Sequence, residues 1–462
     1  MKRMTTYYDQ NKKLFHTIFH LAWPSIIEQA LFTVVQYIDT AMVGRIGAHA
    51  SAAVGLTSSV TWLVNAPLFA IGVGILACIA ESIGAGNRER AKEYGIQALY
   101  FIGILGVLST AITLSISPFL PIWMGAEPEI HQEASLYFSI VCAPLLFRAA
   151  SVILGAIMRG AGDTKSPMLA NLCMNLVNMV LNFFLIYESR YITLGSFRFY
   201  LPSAGLGVAG AAIATAISYC IGGIFMAIVY YRNPALSPRG CSLRHKPELI
   251  RKCLRISIPV TLERISAALG QVVFVTLVTR LGTLALATHS IAMTAEQAFY
   301  IPGFGMQTAA STMAGQSLGE RSQKKFLQTA KITTGMAVLL MTITGGLLFL
   351  FPGFMMSLFT KDAQVIAGGI TVLKIVAVSE PLFAVAIILE GIFNGIGDTK
   401  APFFFSLISM WGVRILGACF SIFYLHAGLK MIWVFMVADN VTRALLLSAR
   451  ILKGSWRQRF TD

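Results

Sequence analysis

Apolar residues run along this chain in about twelve stretches of roughly 20 to 30 residues, separated by short segments carrying Gly, Pro or charge. An α-helix needs about 20 residues to cross the hydrocarbon core of a bilayer, so the pattern predicts twelve membrane helices. They span 15–43, 52–80, 94–117, 134–158, 166–188 and 206–231, then 254–280, 285–314, 328–351, 369–395, 402–425 and 429–452. The expected fold class is all-α and integral to the membrane.

Composition agrees with the pattern. Of 462 residues 56% are apolar and 12% charged, against about 25% charged in an ordinary soluble domain. The basic residues set the orientation, because Lys and Arg beside helix ends are retained in the cytoplasm. One set of loops, including 1–14, 86–93, 232–255 and 450–462, carries 25 of them, and the opposite set only six: Arg45, Arg190, Arg198, Arg280, Lys361 and Lys430. Both termini are thus expected in the cytoplasm, with the chain multi-pass in the plasma (inner) membrane. The net charge of +15 is mostly topological, and its spread over seven loops argues against nucleic-acid binding, which gathers basic residues on one surface. The first apolar run is too long for a cleaved signal peptide and is read as the first helix. The seven cysteines contain no CxxC and predict no disulfide framework.

The chain repeats itself. RGAGDTKSP at 159–167 returns as NGIGDTKAP at 394–402, an offset of 398 − 163 = 235 residues. The same shift aligns Pro24 with Pro259, Glu28 with Glu263, Gly47 with Gly282, Pro67 with Pro302 and Gly84 with Gly319. Two six-helix copies follow, an N-terminal lobe over 1–235 and a C-terminal lobe over 236–462, with the linker shared between them. Six is even, so both copies sit the same way up, related by an axis along the membrane normal. A seam between rocking lobes is the geometry of a transporter. The two GDTK segments are read as structural turns, in which Gly supplies the backbone angles and Pro167 or Pro402 opens the next helix at its first position.

YIDTAMVGRIG, the duplicated GDTK motif, NMVLN, GVAGAAIATAIS, IPGFG and VADNVTRALLLSARILKGSW together resemble the multidrug and toxic compound extrusion (MATE) family over nearly the whole chain. The resemblance implies a V-shaped, twelve-helix exporter that exchanges organic, often cationic, compounds for protons or sodium ions.

Acidic residues inside apolar segments need a reason, since a carboxylate at the bilayer centre costs about 2.5–3.5 kcal/mol on insertion scales. Asp39 follows Glu28 by eleven residues, which returns a helix to nearly the same face, so both can look into one cavity; Gln36 and Thr40 share that flank. A carboxyl group desolvated there can take up and release a proton, or it can be a hydrogen-bonded residue that only ties helices together. The resemblance implies that the helix-1 Asp is a cation or proton site shared with an Asn-x3-Asp and a Thr, for which this chain offers Asn178, Asn182 and Thr215. Asn182 stands where the second acid would be. With one charge fewer, an oxygen-lined sodium site weakens, which favours protons.

Glu28 and Glu263 each stand four residues after a proline, either as a paired substrate site or as partners of backbone groups that the proline frees. Glu296 can join Glu263 in an acidic site of the second lobe. Glu390 reads as interfacial, and Asp439 with Arg443 as an i,i+4 ion pair.

GAGDTKS fails the phosphate-loop pattern, so no ATP hydrolysis is expected, and His16 with His20 lacks a third metal ligand. No cofactor is expected beyond the coupling ion, H⁺ or Na⁺. The function expected is secondary antiport of small organic compounds by a monomer in the lipid bilayer, with Asp39, Asn178, Asn182 and Thr215 coupling the cation. Gln36, Glu28, Glu263 and Glu296 are the substrate or second acidic site. The rival is a flippase of lipid-linked or polysaccharide substrates, whose cavity should be lined with cationic residues for pyrophosphate. An enzyme would need clustered catalytic groups at one membrane face, and a receptor a sizeable domain outside the membrane. Neither is visible in the chain.

Overall fold

The computed structural model describes residues 2–194, 197–242 and 244–461. The first copy holds α1 (Lys2–Gly44), α2 (Ala48–Gly84), α3 (Arg88–Ile116), a short α4 (Leu120–Trp123), α5 (Pro128–Cys142), α6 (Leu145–Gly160), α7 (Lys165–Leu185) and α8 (Gly207–Arg232). The second holds α9 (Pro247–Thr279), α10 (Thr283–Gln297), α11 (Ile301–Gly319), α12 (Gln323–Leu350), a short α13 (Pro352–Ser357), α14 (Ala363–Ala377), α15 (Glu380–Gly395), α16 (Lys400–Leu407), α17 (Leu416–Phe423) and α18 (Leu429–Lys453). A π-helical stretch, Ile408–Ile415, joins α16 to α17.

Among the described residues nine helices are long and apolar enough to cross a membrane, and the pairs α5–α6 and α14–α15, bent by 47° and 54°, bring the number to eleven. In the register of the repeat, α10 with α11 is the counterpart of unbroken α2. Sequence patterning placed these spans, but several helices start earlier than expected, α1 at Lys2 against 15 and α9 at Pro247 against 254, and it drew three of the spans as single helices. Pro144, Pro302 and Pro381 lie at those breaks, where each withholds a backbone N–H and bends the path. Pro67, the counterpart of Pro302, stays inside a continuous helix.

The hairpin of β1 (Glu188–Leu194) and β2 (Phe197–Ala204), antiparallel with Tyr191 opposite Tyr200, is a further departure from an all-helical reading. Its Tyr, Ile, Thr and Phe suit a pleated ribbon. The side chains of Arg190 and Arg198 on this hairpin, like those of Lys2 and Arg3, lie outside the described residues.

Helix starts keep the register of the repeat: Ala48 and Thr283, Arg88 and Gln323, Pro128 and Ala363, Leu145 and Glu380, and Lys165 and Lys400 are each separated by 283 − 48 = 235 residues. The seam is built by exchange. Ile18 and Leu21 of α1 are buried with Met306, Phe326 and Ile392 of the second copy. Their counterparts Cys253 and Ile256 of α9 are buried with Leu68, Ile75 and Ile153 of the first. Lipid gives helices no hydrophobic reason to associate, so close backbone approach through small residues does that work. At the seam a Cβ on Gly84 would collide with the Gln316 carbonyl, and one on Gly319 with the Glu81 carbonyl; residues 81 and 316 are again repeat partners. Cys78 and Cys253 face each other there, Sγ to Sγ 3.6 Å.

Both GDTK turns flank the seam. Gly162 and Gly397 take φ of +92° and +72°, angles that only glycine adopts without strain. The following helices begin at Lys165 and Lys400, so Pro167 and Pro402 occupy the third helical position, not the first as expected. The whole first turn lacks intrahelical N–H partners, and proline is tolerated across it. The two copies have diverged in use. Asp163 accepts from the Lys165 and Ser166 N–H groups at 3.1 and 3.0 Å and caps α7, whereas Asp398 accepts from Arg450 Nε and Nη2 at 2.9 and 2.7 Å and ties the turn after α15 to α18.

The ion pair expected between Asp439 and Arg443 does not form. Each is claimed by another helix: Asp439 by Arg414 at 2.7 Å and Arg443 by Glu390 at 3.4 Å. Glu390, expected at the interface, also accepts from Gln307 Nε2 at 3.1 Å and is part of this internal network.

Candidate functional site

A cavity of about 450 Å³ opens between α1, α2, α5, α6, α7 and α8, with Thr294 and Gln297 of α10 on its far wall. Helical spacing builds it. Gln36, Asp39, Thr40 and Val43 come from one flank of α1, Asn175, Asn178 and Asn182 from one face of α7, and Ala211, Thr215 and Ser218 from one face of α8. Tyr37 donates across the seam to the Thr294 carbonyl at 2.8 Å.

Asp39, Asn178, Asn182 and Thr215 form one chain of contacts. Asn182 Nδ2 donates to Asp39 Oδ1 at 2.7 Å and to Asn178 Oδ1 at 3.1 Å. Asn178 Nδ2 lies 3.3 Å from Thr215 Oγ1, whose hydroxyl donates to the Ala211 carbonyl at 3.0 Å. Hydrogen bonding favours the Asn178 amide turned so that its nitrogen donates to Asp39 Oδ1 and Oδ2 at 3.0 and 3.2 Å and its oxygen accepts from Thr215 at 3.3 Å.

Gln36 lines the same cavity, whereas the other acids named from sequence are not brought to it. Glu28 accepts from Asn171 Nδ2 at 2.6 Å and pairs with Arg159 at 3.2 Å, which ties α1 to α6 and α7. Glu263 is buried in the second copy near the Arg443–Glu390 pair. Glu296 and Glu380 are buried there too, and among the described residues Glu296 Oε2 and both Glu380 oxygens have no hydrogen-bond partner.

Sequence reasoning missed Arg148 and Trp62, which line the cavity, and Arg264 beside it. The signal for the arginines lay in the charge count: five of the 36 basic residues, Arg148, Arg264, Lys374, Arg414 and Arg443, fall inside apolar segments.

The MatE family matches residues 24–184 and 259–420, the two copies of the repeat. A probable multidrug resistance protein NorM of Thermotoga maritima is 28% identical over 439 residues, covering 95% of this chain and 92% of the relative. The multidrug resistance protein MdtK of Edwardsiella ictaluri is 25% identical, covering 95% and 94%. Among solved structures, a multidrug resistance MATE family transporter of the MOP superfamily in an outward-facing conformation superposes with a TM-score of 0.89 at 24% identity, covering 96% of this chain and 97% of that one. The fold is thus that of twelve helices in two lobes, and this multi-pass membrane protein belongs to the MatE family.

Proposed function

We propose that the chain is a secondary exporter that moves amphipathic organic compounds out of the cell in exchange for protons entering through Asp39. The observation that carries the reading is the linked set Asp39, Asn178, Asn182 and Thr215 on the wall of a cavity large enough for a small organic molecule. The names of its relatives, as multidrug resistance proteins, support the same reading. Protonation of Asp39 from outside removes its charge, and a bound cationic group loses its partner and leaves. Release of the proton inward restores the carboxylate. Exchange requires that proton and substrate favour different lobe arrangements, each weakening the other by the same factor. The lobes divide near residue 235, and both termini face the cytoplasm, as the basic loops require. The reaction makes and breaks no covalent bond, so the protein is a carrier and not an enzyme.

The test is uptake of a fluorescent organic cation into everted vesicles, where export from the cell becomes transport into the lumen, under a pure pH gradient and under a pure sodium gradient. Uptake driven by the pH gradient alone supports the reading. Uptake driven only by sodium, or by neither, overturns it.

A further inference from the structure

A side-chain hydrogen bond crosses the seam at the height of the cavity. Tyr37 of α1 donates its hydroxyl to the Thr294 carbonyl of α10 at 2.8 Å. The Tyr37 ring also meets the ring of Phe359, in the loop between α13 and α14, edge to face at 5.9 Å between centres. Tyr37 and Thr294 both line the cavity that holds Asp39, and Asp39 lies two residues farther along α1. The close contacts at Gly84, Gly319, Cys78 and Cys253 belong instead to the side of the seam that carries the GDTK turns.

The acceptor exists because the span of α10 and α11 is broken. An unbroken helix gives the carbonyl of residue 294 to the N–H four residues on, but the Ala298 N–H turns to the Glu296 carbonyl. Past the break, the Phe299 carbonyl is taken by Thr344 Oγ1 at 3.0 Å, inside the second copy. The Thr294 carbonyl is taken from across the seam. In the repeat neither half of this contact recurs. The counterpart of Thr294, at 294 − 235 = 59, is Ser59, which lies inside unbroken α2 where the helix uses its carbonyl. The counterpart of Tyr37, at 37 + 235 = 272, is Val272, which is 63% exposed and has no donor to offer. Donor and acceptor thus occur together in one place and are both missing from the other. A carbonyl left unpaired away from water costs about as much as a lost hydrogen bond, so the lobes part at this height only as water enters the seam.

We infer that Tyr37 is the latch that shuts the seam over the cavity, a positioning residue that ties α1, and Asp39 with it, to the second lobe. This rests on the export reading and adds a gate to it. With the Tyr37 hydroxyl on Thr294 the cavity is closed at this height; its release lets α1 and the second lobe separate on the side away from the GDTK turns. The break that distinguishes α10 and α11 from α2 thereby has a use, since it supplies an acceptor that moves with the second lobe.

The experiment measures the opening directly. Spin labels are attached at Arg45→Cys and Lys361→Cys, exposed positions after α1 and before α14, in the full-length protein with Cys173, Cys220, Cys241 and Cys419, the native cysteines that are not buried, replaced by Ser. Electron–electron distance measurement should find a shorter and a longer separation. Tyr37→Phe keeps the ring and removes the donor, so it should raise the ratio of longer to shorter about fivefold, the worth of one hydrogen bond. Thr344→Val removes the bond to the Phe299 carbonyl within the second copy and should leave the ratio at the parent value, whereas a role in packing alone would move both variants alike. An unchanged ratio in Tyr37→Phe, a single separation in both parent and Tyr37→Phe, or an equal shift in Thr344→Val overturns the latch. Dye uptake into everted vesicles under a pH gradient is followed on the same proteins. The expected shift without uptake by the parent sinks export and leaves the latch, whereas pH-driven uptake with unchanged separations sinks the latch and leaves export standing.

Discussion

Replacing Asn182 by Asp tests the proposed preference for protons. Asn182 Nδ2 stands 2.7 Å from Asp39 Oδ1, so Asn182→Asp places a second carboxylate oxygen at about that distance. Two unit charges 2.7 Å apart repel by about 6 kcal/mol at an effective dielectric constant of about 20. The pair relieves that repulsion by sharing a proton or by taking up a cation between them. Asn178 Oδ1 and Thr215 Oγ1 already offer neutral oxygens beside that position, and a hard cation prefers charged oxygens added to such a set. In proteoliposomes held at equal pH on both sides, a sodium gradient should drive no dye efflux from the parent and measurable efflux from Asn182→Asp. Titration calorimetry should find sodium binding only in the variant. A folded Asn182→Asp protein indifferent to sodium, or a parent driven by sodium alone, would refute the argument that one missing charge excludes that ion.

Two further outcomes follow from the packing. In the proposed exchange the seam parts beside Cys78 and Cys253, whose sulfurs are 3.6 Å apart. Oxidation by copper phenanthroline should join them, arrest efflux and be reversed by a thiol reductant, while Cys78→Ala should be unaffected; continued efflux from the joined protein would show that this end stays shut. Asp439 is 0% exposed and pairs with Arg414 at 2.7 Å, so Asp439→Asn leaves a largely buried cation unpaired and should cost about 3–5 kcal/mol of stability. Thermal unfolding in detergent followed by tryptophan fluorescence checks this, and Asp439→Leu combined with Arg414→Leu should recover most of the loss.

The fold was legible because two of its causes are written directly in the residues. Apolar runs long enough to cross a bilayer marked the spans, and the shift that lays Gly84 on Gly319 also brings those glycines against the opposite copy's backbone at the seam. The first-lobe site was half legible: helical spacing put Gln36 and Asp39 on one flank, and the family resemblance supplied Asn178, Asn182 and Thr215. Partner choice was not legible. Glu28 is used up by Arg159 and Asn171, and Asp439 reaches Arg414 in preference to its neighbour on α18, because charge pairing between helices depends on rotations that no single segment encodes. The hairpin was missed because a short β-ribbon in a loop leaves no membrane-length signal. Arg148 was passed over for a different reason: attention to acids hid a basic residue in an apolar run.

The account turns on the carboxyl group of Asp39. Efflux of a fluorescent cation from vesicles with an imposed pH gradient, compared between the parent and Asp39→Asn, tests it most directly. The substituted amide keeps the size and part of the hydrogen bonding of the original but carries no charge and cannot exchange a proton, so binding of the cationic dye should weaken and gradient-driven efflux should fall to background. Efflux from Asp39→Asn near the parent rate would contradict the account.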